Sequence, residues 1–299
     1  MTPEQRLALY TTFRLGGPCR EFFNCPNAEA FRAIWPKVND RSQSALLMGG
    51  GSNLLVADAG VDCPVVRFVD EVPDVRRDGD EVVISGGTSL DDVARVTAEW
   101  GLDGMVMCSG IPGTVGGAIA GNAGAFGEQI GDRVVALEMM DRAGNIFQRV
   151  PEELGFAYRR SAIPASGEVV LSARIRLTSG QHESLLARRR EILELRAAKH
   201  PDWRTMPTAG SFFKNIEPTS KAERRQAAGW FLEQAGALKM RVGGARTFER
   251  HANIIIAEPD CRAIDVLRLS EMMAAAVEEK FGLKLEREVK VWGAMDAGE

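Results

Sequence analysis

Apolar residues recur along this chain in two rhythms. Short apolar runs, bounded by glycine or polar clusters, predict strands at Ala45–Met48, Leu54–Ala57, Val65–Phe68, Val82–Ser85 and Val169–Leu177. Val134–Met140 and Asn145–Val150 predict a hairpin around Asp141-Arg142-Ala143-Gly144, and Ile254–Ala257 a further buried strand. Thr11–Gly17 and Gly210–Ile216 read as extended, and Leu285–Trp292 as an alternating strand. Helical spacing appears after Asn27, with Phe31, Ile34 and Val38 on one face and Pro36 disturbing the end. Ser89 and Asp92 form a capping pattern before a helix that turns Val93, Val96 and Trp100 inward and stops at Gly101. Further helices are predicted over His182–Lys199, closed by Pro201, from about Thr219 to Gln234, and from about Arg262 to Phe281, capped by Asp260 and stopped by Gly282.

Strands and helices are mixed without a regular βαβ alternation, which predicts an α+β fold. The polar run between Phe68 and Glu81 and the break near residue 180 divide the chain into 1–69, 70–180 and 181–299. The last strand is free to return to the first of these domains.

One stretch breaks both rhythms. Ser109–Gly127 reads SGIPGTVGGAIAGNAGAFG, with seven glycines in nineteen residues and no charge. Its Ile111, Val115, Ile119 and Phe126 argue against a disordered linker. Glycine lets main-chain N–H groups approach a ligand with no Cβ between them, so the stretch suits a phosphate or pyrophosphate cradle. A tight packing turn between buried elements is the other reading. A second glycine loop, Gly49-Gly50-Gly51-Ser52-Asn53-Leu54, has Leu54 where the dinucleotide fingerprint needs its third glycine. The longer stretch lacks that spacing too, and no lysine lies between Lys37 and Lys199 to complete a P-loop.

Three other constellations stand out. Tyr158-Arg159-Arg160-Ser161 suits a carboxylate or phosphate, because guanidinium forks match both, or else is a charged surface loop. In Gly210-Ser211-Phe212-Phe213-Lys214-Asn215 a strand would put Ser211, Phe213 and Asn215 on one face and Phe212 and Lys214 on the other. Such a segment suits a polar anionic ligand, or is an amphipathic edge strand. Leu285–Lys290 reads as a solvated edge in which an inward Glu288 would be the exception. Arg188-Arg189-Arg190 reads as a solvated helix face, and His251 as a structural histidine beside Asn253.

Composition changes this picture little. The 299 residues are 45% hydrophobic and 26% charged, with a net charge of −4, so neither nucleic acid nor a membrane surface is an expected partner. Five cysteines without a C-x-x-C pair suit reduced thiols, and three histidines without metal spacing predict no metal site. No apolar run reaches membrane-spanning or signal-peptide length, which predicts a cytoplasmic protein without membrane insertion.

These motifs, in this order and nearly end to end, resemble the UDP-N-acetylenolpyruvoylglucosamine reductase family. The resemblance rests on Thr12–Gly17, Gly49–Val56, Gly110–Ala118, Asn122–Ala125, Tyr158-Arg159, Gly210–Asn215, Gly243–Ala245, His251–Asn253 and Leu285–Val289. It implies a two-subdomain FAD-binding module of the vanillyl-alcohol-oxidase type, followed by a C-terminal α+β substrate domain. It implies NADPH as reductant and UDP-N-acetylglucosamine enolpyruvate as substrate, in peptidoglycan precursor synthesis, by an enzyme acting as a monomer. Arg159, Ser211 and Glu288 would be catalytic, with Ser211 the proton donor. Gly49, Gly50, Gly51, Ser52, Asn53, Leu54, Ser109, Gly110, Ile111, Pro112, Gly113, Thr114, Gly116, Gly117, Ala118, Asn122 and Gly124 would hold FAD. Tyr158, Lys214 and Asn215 would hold substrate. About fifty residues separate Arg159 from Ser211, which resembles the family's second subtype, lacking an extra substrate-covering tyrosine loop. Ile216 and Ile163 depart from its usual proline and aromatic residue. A flavin oxidase or dehydrogenase of another substrate, or a non-catalytic nucleotide-sugar binder, are the alternatives.

Overall fold

The computed structural model describes residues 5–39, 44–217 and 225–295. The chain forms two compact units. A middle unit comprises Glu21–Gly50 and Cys63–Arg196, and a terminal unit comprises Met1–Arg20, Gly51–Asp62 and Ala197–Glu299.

The middle unit is built on a five-stranded antiparallel sheet in the order Ile146–Arg149, Val134–Met140, Val169–Arg176, Glu81–Ser85, Val75–Asp78. Alternate residues point to one face, so Val82, Ile84, Leu137, Met139, Ala173 and Ile175 share a core with Leu90, Val93 and Ala94 of the helix Leu90–Glu99. Ser89 caps that helix as expected, its oxygen accepting from Asp92 N at 3.4 Å. The polar run after Phe68 is not simply a connection. Val75–Asp78 forms a hairpin with Glu81–Ser85, because Gly79 takes the left-handed conformation (φ 62°) that a two-residue turn requires. A second sheet orders Cys19–Cys25, Val61–Phe68 and Leu46–Met48. It is covered by the helix Ala28–Val38, which buries Phe31 and Trp35 and packs Ile34 and Val38 against the same core as partly buried residues, with Phe31 stacked 4.8 Å from Phe68.

The terminal unit has a three-stranded antiparallel sheet, Arg241–Val242, Ala245–Phe248 and His251–Ala257, packed by helices Ala228–Gln234 and Ala263–Phe281. The long helix buries Val266, Leu269, Met273 and Val277 at helical spacing and stops at Gly282 (φ 67°). Its start is not capped by Asp260: the Asp265 carboxylate accepts from Arg262 N at 3.0 Å, and Asp58 accepts from Ala263 N at 3.0 Å. The expected start of the preceding helix, Thr219, lies outside the described residues. Thr11–Phe13 bends and turns after a short 3-10 helix, Leu7–Tyr10, and Arg14 is left-handed (φ 54°), so Thr11–Gly17 is not uniformly extended; Gly17 N donates to Ala57 O at 2.8 Å. Lys290–Trp292 pairs in parallel with Leu54–Val56, Val291 standing opposite Leu55.

Candidate active site

The two glycine loops found separately in the sequence touch inside the middle unit. A Cβ on Gly49 would stand 2.6 Å from Thr114 Oγ1, and one on Gly50 2.9 Å from Gly113 Cα. Gly116 N donates to Gly86 O at 2.8 Å, and a Cβ there would stand 3.1 Å from that oxygen. Gly110 (φ 73°) and Gly113 (φ 122°) adopt conformations that L side chains resist. These glycines are therefore accounted for by close packing within the protein, Gly50 and Gly116 against backbone and Gly49 and Gly110 against side chains. Gly117 is not. It lies exposed on the helix Val115–Ala120, and its nearest neighbour would be Thr114 Oγ1 at an ordinary 3.4 Å. Alanine would fit there and favour the helix by about 1 kcal/mol. A glycine that the protein itself does not need is what a cradle requires where a ligand comes close.

The other residues of the stretch support its shape. Thr114 caps the short helix by accepting from Gly117 N at 3.3 Å. Ser109 is buried and donates to Val106 O at 2.7 Å, while Ala118 is buried and Ile111 packs on the core beneath. Pro112 lies on the exposed side. Gly124 begins a small hairpin in which a Cβ would reach 2.3 Å from Glu128 O. Asn122, buried and left-handed (φ 43°), spends its amide on the protein. Its oxygen accepts from Gly131 N at 3.0 Å, and its nitrogen donates to Gln129 Oε1 and Ala157 O, both at 2.9 Å.

Those last bonds bring Tyr158–Ser161 to the end of the glycine stretch. Ala157 and Arg160 exchange backbone hydrogen bonds at 3.0 and 3.1 Å, closing a tight turn. Ser161 Oγ donates to Ala120 O at 2.7 Å, bolting that turn to the short glycine helix. Arg159 sits in the turn at φ 53°, a conformation that costs a non-glycine residue on the order of 1 kcal/mol and is concentrated at functional sites. Its guanidinium stands 5.7 Å from the Tyr158 ring centroid.

The terminal unit carries Gly51, Ser52, Asn53 and Leu54. Gly51 (φ 61°) accepts from Thr12 N at 3.2 Å, and a Cβ there would strike Tyr10 O. Ser52 is half-buried, and Leu54 opens the strand that Lys290–Trp292 joins. Asn53 donates from its amide to Glu288 O at 3.2 Å. Gly210–Ile216 does not form the alternating strand expected of it. Phe212 and Phe213 are both buried, because the segment is wedged between His251–Ala257 and the residues before Val289. Phe212 N donates to Asn253 O at 2.8 Å, Lys214 N to Glu286 O at 2.9 Å and Glu288 N to Phe212 O at 2.9 Å. Ser211 and Glu288 thus lie on adjoining segments of one unit. Asn253 holds this arrangement: its oxygen accepts from Phe213 N at 2.9 Å and its nitrogen donates to Phe213 O at 2.8 Å. The side chain completes a bond pair that a neighbouring strand would otherwise make. Lys214 pairs with exposed Glu286 at 2.5 Å, and Asn215 accepts from Ala228 N at 3.2 Å. His251 accepts from Asn253 N at 3.2 Å, and burial lowers its pKa, as suits a structural imidazole.

The arginine run is not a solvated face. Arg189, its side chain 11% exposed, binds the Asp91 carboxylate through two bonds of 2.7 and 3.0 Å. Arg188 pairs with Glu128 at 3.0 Å, and only Arg190 is fully exposed. Asp91 Oδ1 also accepts from Gly110 N at 2.7 Å, so the pair fixes the glycine stretch directly. Asn253, Asp91 and Arg189 were given no role on sequence, although Asn253 lies in the His251–Asn253 motif and stands as a polar residue in the apolar run HANIIIA.

Comparison with known proteins agrees over most of the chain. A family model described as UDP-N-acetylenolpyruvoylglucosamine reductase, C-terminal domain, matches residues 201–292, and one described as FAD binding domain matches residues 21–148. The UDP-N-acetylenolpyruvoylglucosamine reductase of Solibacter usitatus is 35% identical over 302 residues, covering 96% of this chain and 95% of that protein. That of Paramagnetospirillum magneticum is 35% identical, covering 97% and 91%. The crystal structure of UDP-N-acetylenolpyruvylglucosamine reductase from Thermus caldophilus matches with a TM-score of 0.79 at 32% identity, covering 96% of this chain and 97% of that one.

Proposed function

The chain belongs to the UDP-N-acetylenolpyruvoylglucosamine reductase family, and on that premise we propose that it reduces UDP-N-acetylglucosamine enolpyruvate to UDP-N-acetylmuramate with NADPH. It is an FAD-dependent oxidoreductase of α+β fold, with an FAD-binding domain and the family's C-terminal domain. The exposed Gly117 and the backbone contacts of Gly49, Gly50, Gly113 and Gly116 suit a dinucleotide pressed against main chain.

The net reaction adds a hydride to the terminal carbon of the enol ether and a proton to the carbon bearing the carboxylate, while NADPH gives up its hydride. FAD, when bound, supplies the hydride chemistry between the two. The protein's part is to bind, orient and handle charge and proton. Arg159 offers a fixed guanidinium to the carboxylate, where negative charge grows. A preorganised donor of this kind is worth about 3–4 kcal/mol. Glu288 shares that task as a hydrogen-bonding partner. Ser211 holds the proton on Oγ; a hydroxyl is a weak acid, so its placement has to supply what its acidity does not. Tyr158, Lys214 and Asn215 hold the substrate. The Lys214–Glu286 pair has one exposed partner, and an ion pair of this sort is worth well under the gain from an ionised phosphate.

The observation that carries this reading is the bond from Glu288 N to Phe212 O, which sets the segment of Glu288 beside that of Ser211 on a buried support. The test separates the two half-reactions under anaerobic conditions. Ser211→Ala is expected to keep the rate of flavin bleaching by NADPH and to slow re-oxidation by the enol ether by about 10²–10⁴-fold. Equal rates in the second half-reaction would remove Ser211 from the proton-donor role. A parent protein re-oxidised only by oxygen would point to a different flavin enzyme.

A further inference from the structure

The helix His182–Lys199 turns an unusual stripe toward the glycine stretch. Leu185, Arg189, Ile192, Leu193 and Arg196 follow one another at spacings of four, three, one and three, which keeps them on one helical face. Leu185 and Ile192 are buried against Ala98 and Val106. Arg189 is fully engaged by Asp91, which in turn holds Gly110 N. Two turns further along, Arg196 lies against the same glycine. A Cβ on Gly110 would stand 3.1 Å from Arg196 Cδ and 2.9 Å from Leu193 Cδ2.

Unlike Arg189, Arg196 makes no ion pair with an acid among the described residues. Its Nε is shut away from solvent and has no hydrogen-bond partner among the described residues. Burial lowers its pKa; Cys108 and Asp91 act the other way, and the like charge of Arg159 lowers it further. Cys108 offers no anion, because burial pushes its thiol up to about 12. A guanidinium partly withdrawn from water, its Nε unbonded and the nearby Asp91 already taken up by Arg189, is costly, and the like charge of Arg159 adds to that cost. An anionic ligand at the glycine stretch would relieve both.

We propose that Arg196 is a cofactor-binding residue whose guanidinium meets negative charge on bound FAD. The proposal rests on the FAD-dependent reading of the glycine stretch. Two parts of the cofactor carry suitable oxygens, the pyrophosphate and the N1–C2=O edge of the flavin ring, which gains negative charge on reduction.

The experiment removes FAD from the full-length protein and titrates FAD and riboflavin separately into the parent, Arg196→Met, Arg196→Gln and Arg196→Lys, following flavin fluorescence. Midpoint potentials of the FAD-loaded proteins are measured alongside. Loss of the charge is expected to weaken FAD by about 10–100-fold, the range of one charge-assisted hydrogen bond, with partial recovery in Arg196→Lys. An FAD loss with riboflavin unchanged assigns the contact to the pyrophosphate. Equal losses with a more negative potential assign it to the ring. Unaltered affinities and potential in Arg196→Gln overturn the proposal, as does a rise confined to the KM for the enol ether. Arg190→Ala, on the exposed side, is the control for the helix. Thermal unfolding of the apoproteins shows whether Arg196→Met folds; Arg196→Gln, which keeps length and polarity, decides if it does not. A parent that binds no flavin would sink the FAD reading itself, which is a separate outcome.

Discussion

In Ser109–Gly127 the backbone is positioned by atoms that are missing. Gly113 and Gly116 let main chain lie on main chain, Gly110 admits the Leu193 and Arg196 side chains, and the cluster is then pinned from outside by Asp91 and Arg189. In Gly210–Asn215 the backbone is positioned by atoms that are added. One amide, Asn253, takes both polar groups of Phe213, and two phenylalanines are driven into the core on either side of the chain direction. The first device leaves main chain bare of side chains at the exposed Gly117, suited to a long ligand lying on backbone. The second fixes individual side chains, suited to groups that act on one bond. The cost of failure differs as well: removing the amide strands buried donors and acceptors, while filling Gly117 changes mainly what can lie against it.

Asn253→Leu should break the second device outright. It strands Phe213 N–H and C=O in a buried setting, and about 3 kcal/mol of stability is expected to go, read from chemical denaturation, with activity falling along with it. An unchanged denaturation midpoint would mean the segment is held by its backbone bridges alone.

Asn122→Ala tests the join between the glycine stretch and the turn that carries Arg159. It removes three side-chain bonds and puts alanine at φ 43°, so a loss of about 2 kcal/mol is expected. The sharper readout is kcat/KM, which should fall more than stability accounts for if Arg159 is misplaced. A matching fall would leave Asn122 with a purely structural role.

Asp91→Asn sharpens the comparison through pH. Burial pushes the Asp91 carboxyl up, but hydrogen bonds from Arg189 and Gly110 and the charges of Arg189 and Arg95 outweigh it, so its folded pKa lies below the ordinary value. A depressed folded pKa contributes stability that is complete above the unfolded value, about 3.9, and is lost as pH falls through the folded one. The variant should therefore be less stable than the parent at pH 7, with the gap closing below about pH 4. A gap independent of pH would remove the charge from the explanation.

Gly117→Ala is the smallest change and separates the two readings of the glycine stretch. The apoprotein is expected to gain up to about 1 kcal/mol, since alanine favours the helix and meets nothing closer than 3.4 Å, while FAD binds more weakly. Undiminished FAD affinity would return Gly117 to a packing role.

The sheet strands and long helices were legible because their signal is local. Val134–Met140, Val169–Arg176 and His182–Lys199 follow directly from apolar runs beside a turn signal or from helical length and a terminal proline. Gly210–Ile216 misled for a physical reason: alternation assumes one wet face, and here the adjacent Phe212 and Phe213 are both covered, by segments bridged to either side. Arg188-Arg189-Arg190 misled because a run of charges carries no information about distant acids. Asp91 stands 98 positions from Arg189, and Glu128 stands 60 from Arg188.

By itself the sequence determined where many of the turns and strands fall, which segments pair with their near neighbours, and that Ser109–Gly127 is ordered rather than linker. Those properties depend on backbone freedom and on side-chain periodicity within a dozen residues. Only the tertiary structure decided that Gly50 meets Gly113, that Asn253 serves Phe213, and that Arg189 finds an acid while Arg196 does not. Hydrogen bonds and ion pairs act over a few ångströms in space, and separation along the chain does not limit them once the core has closed.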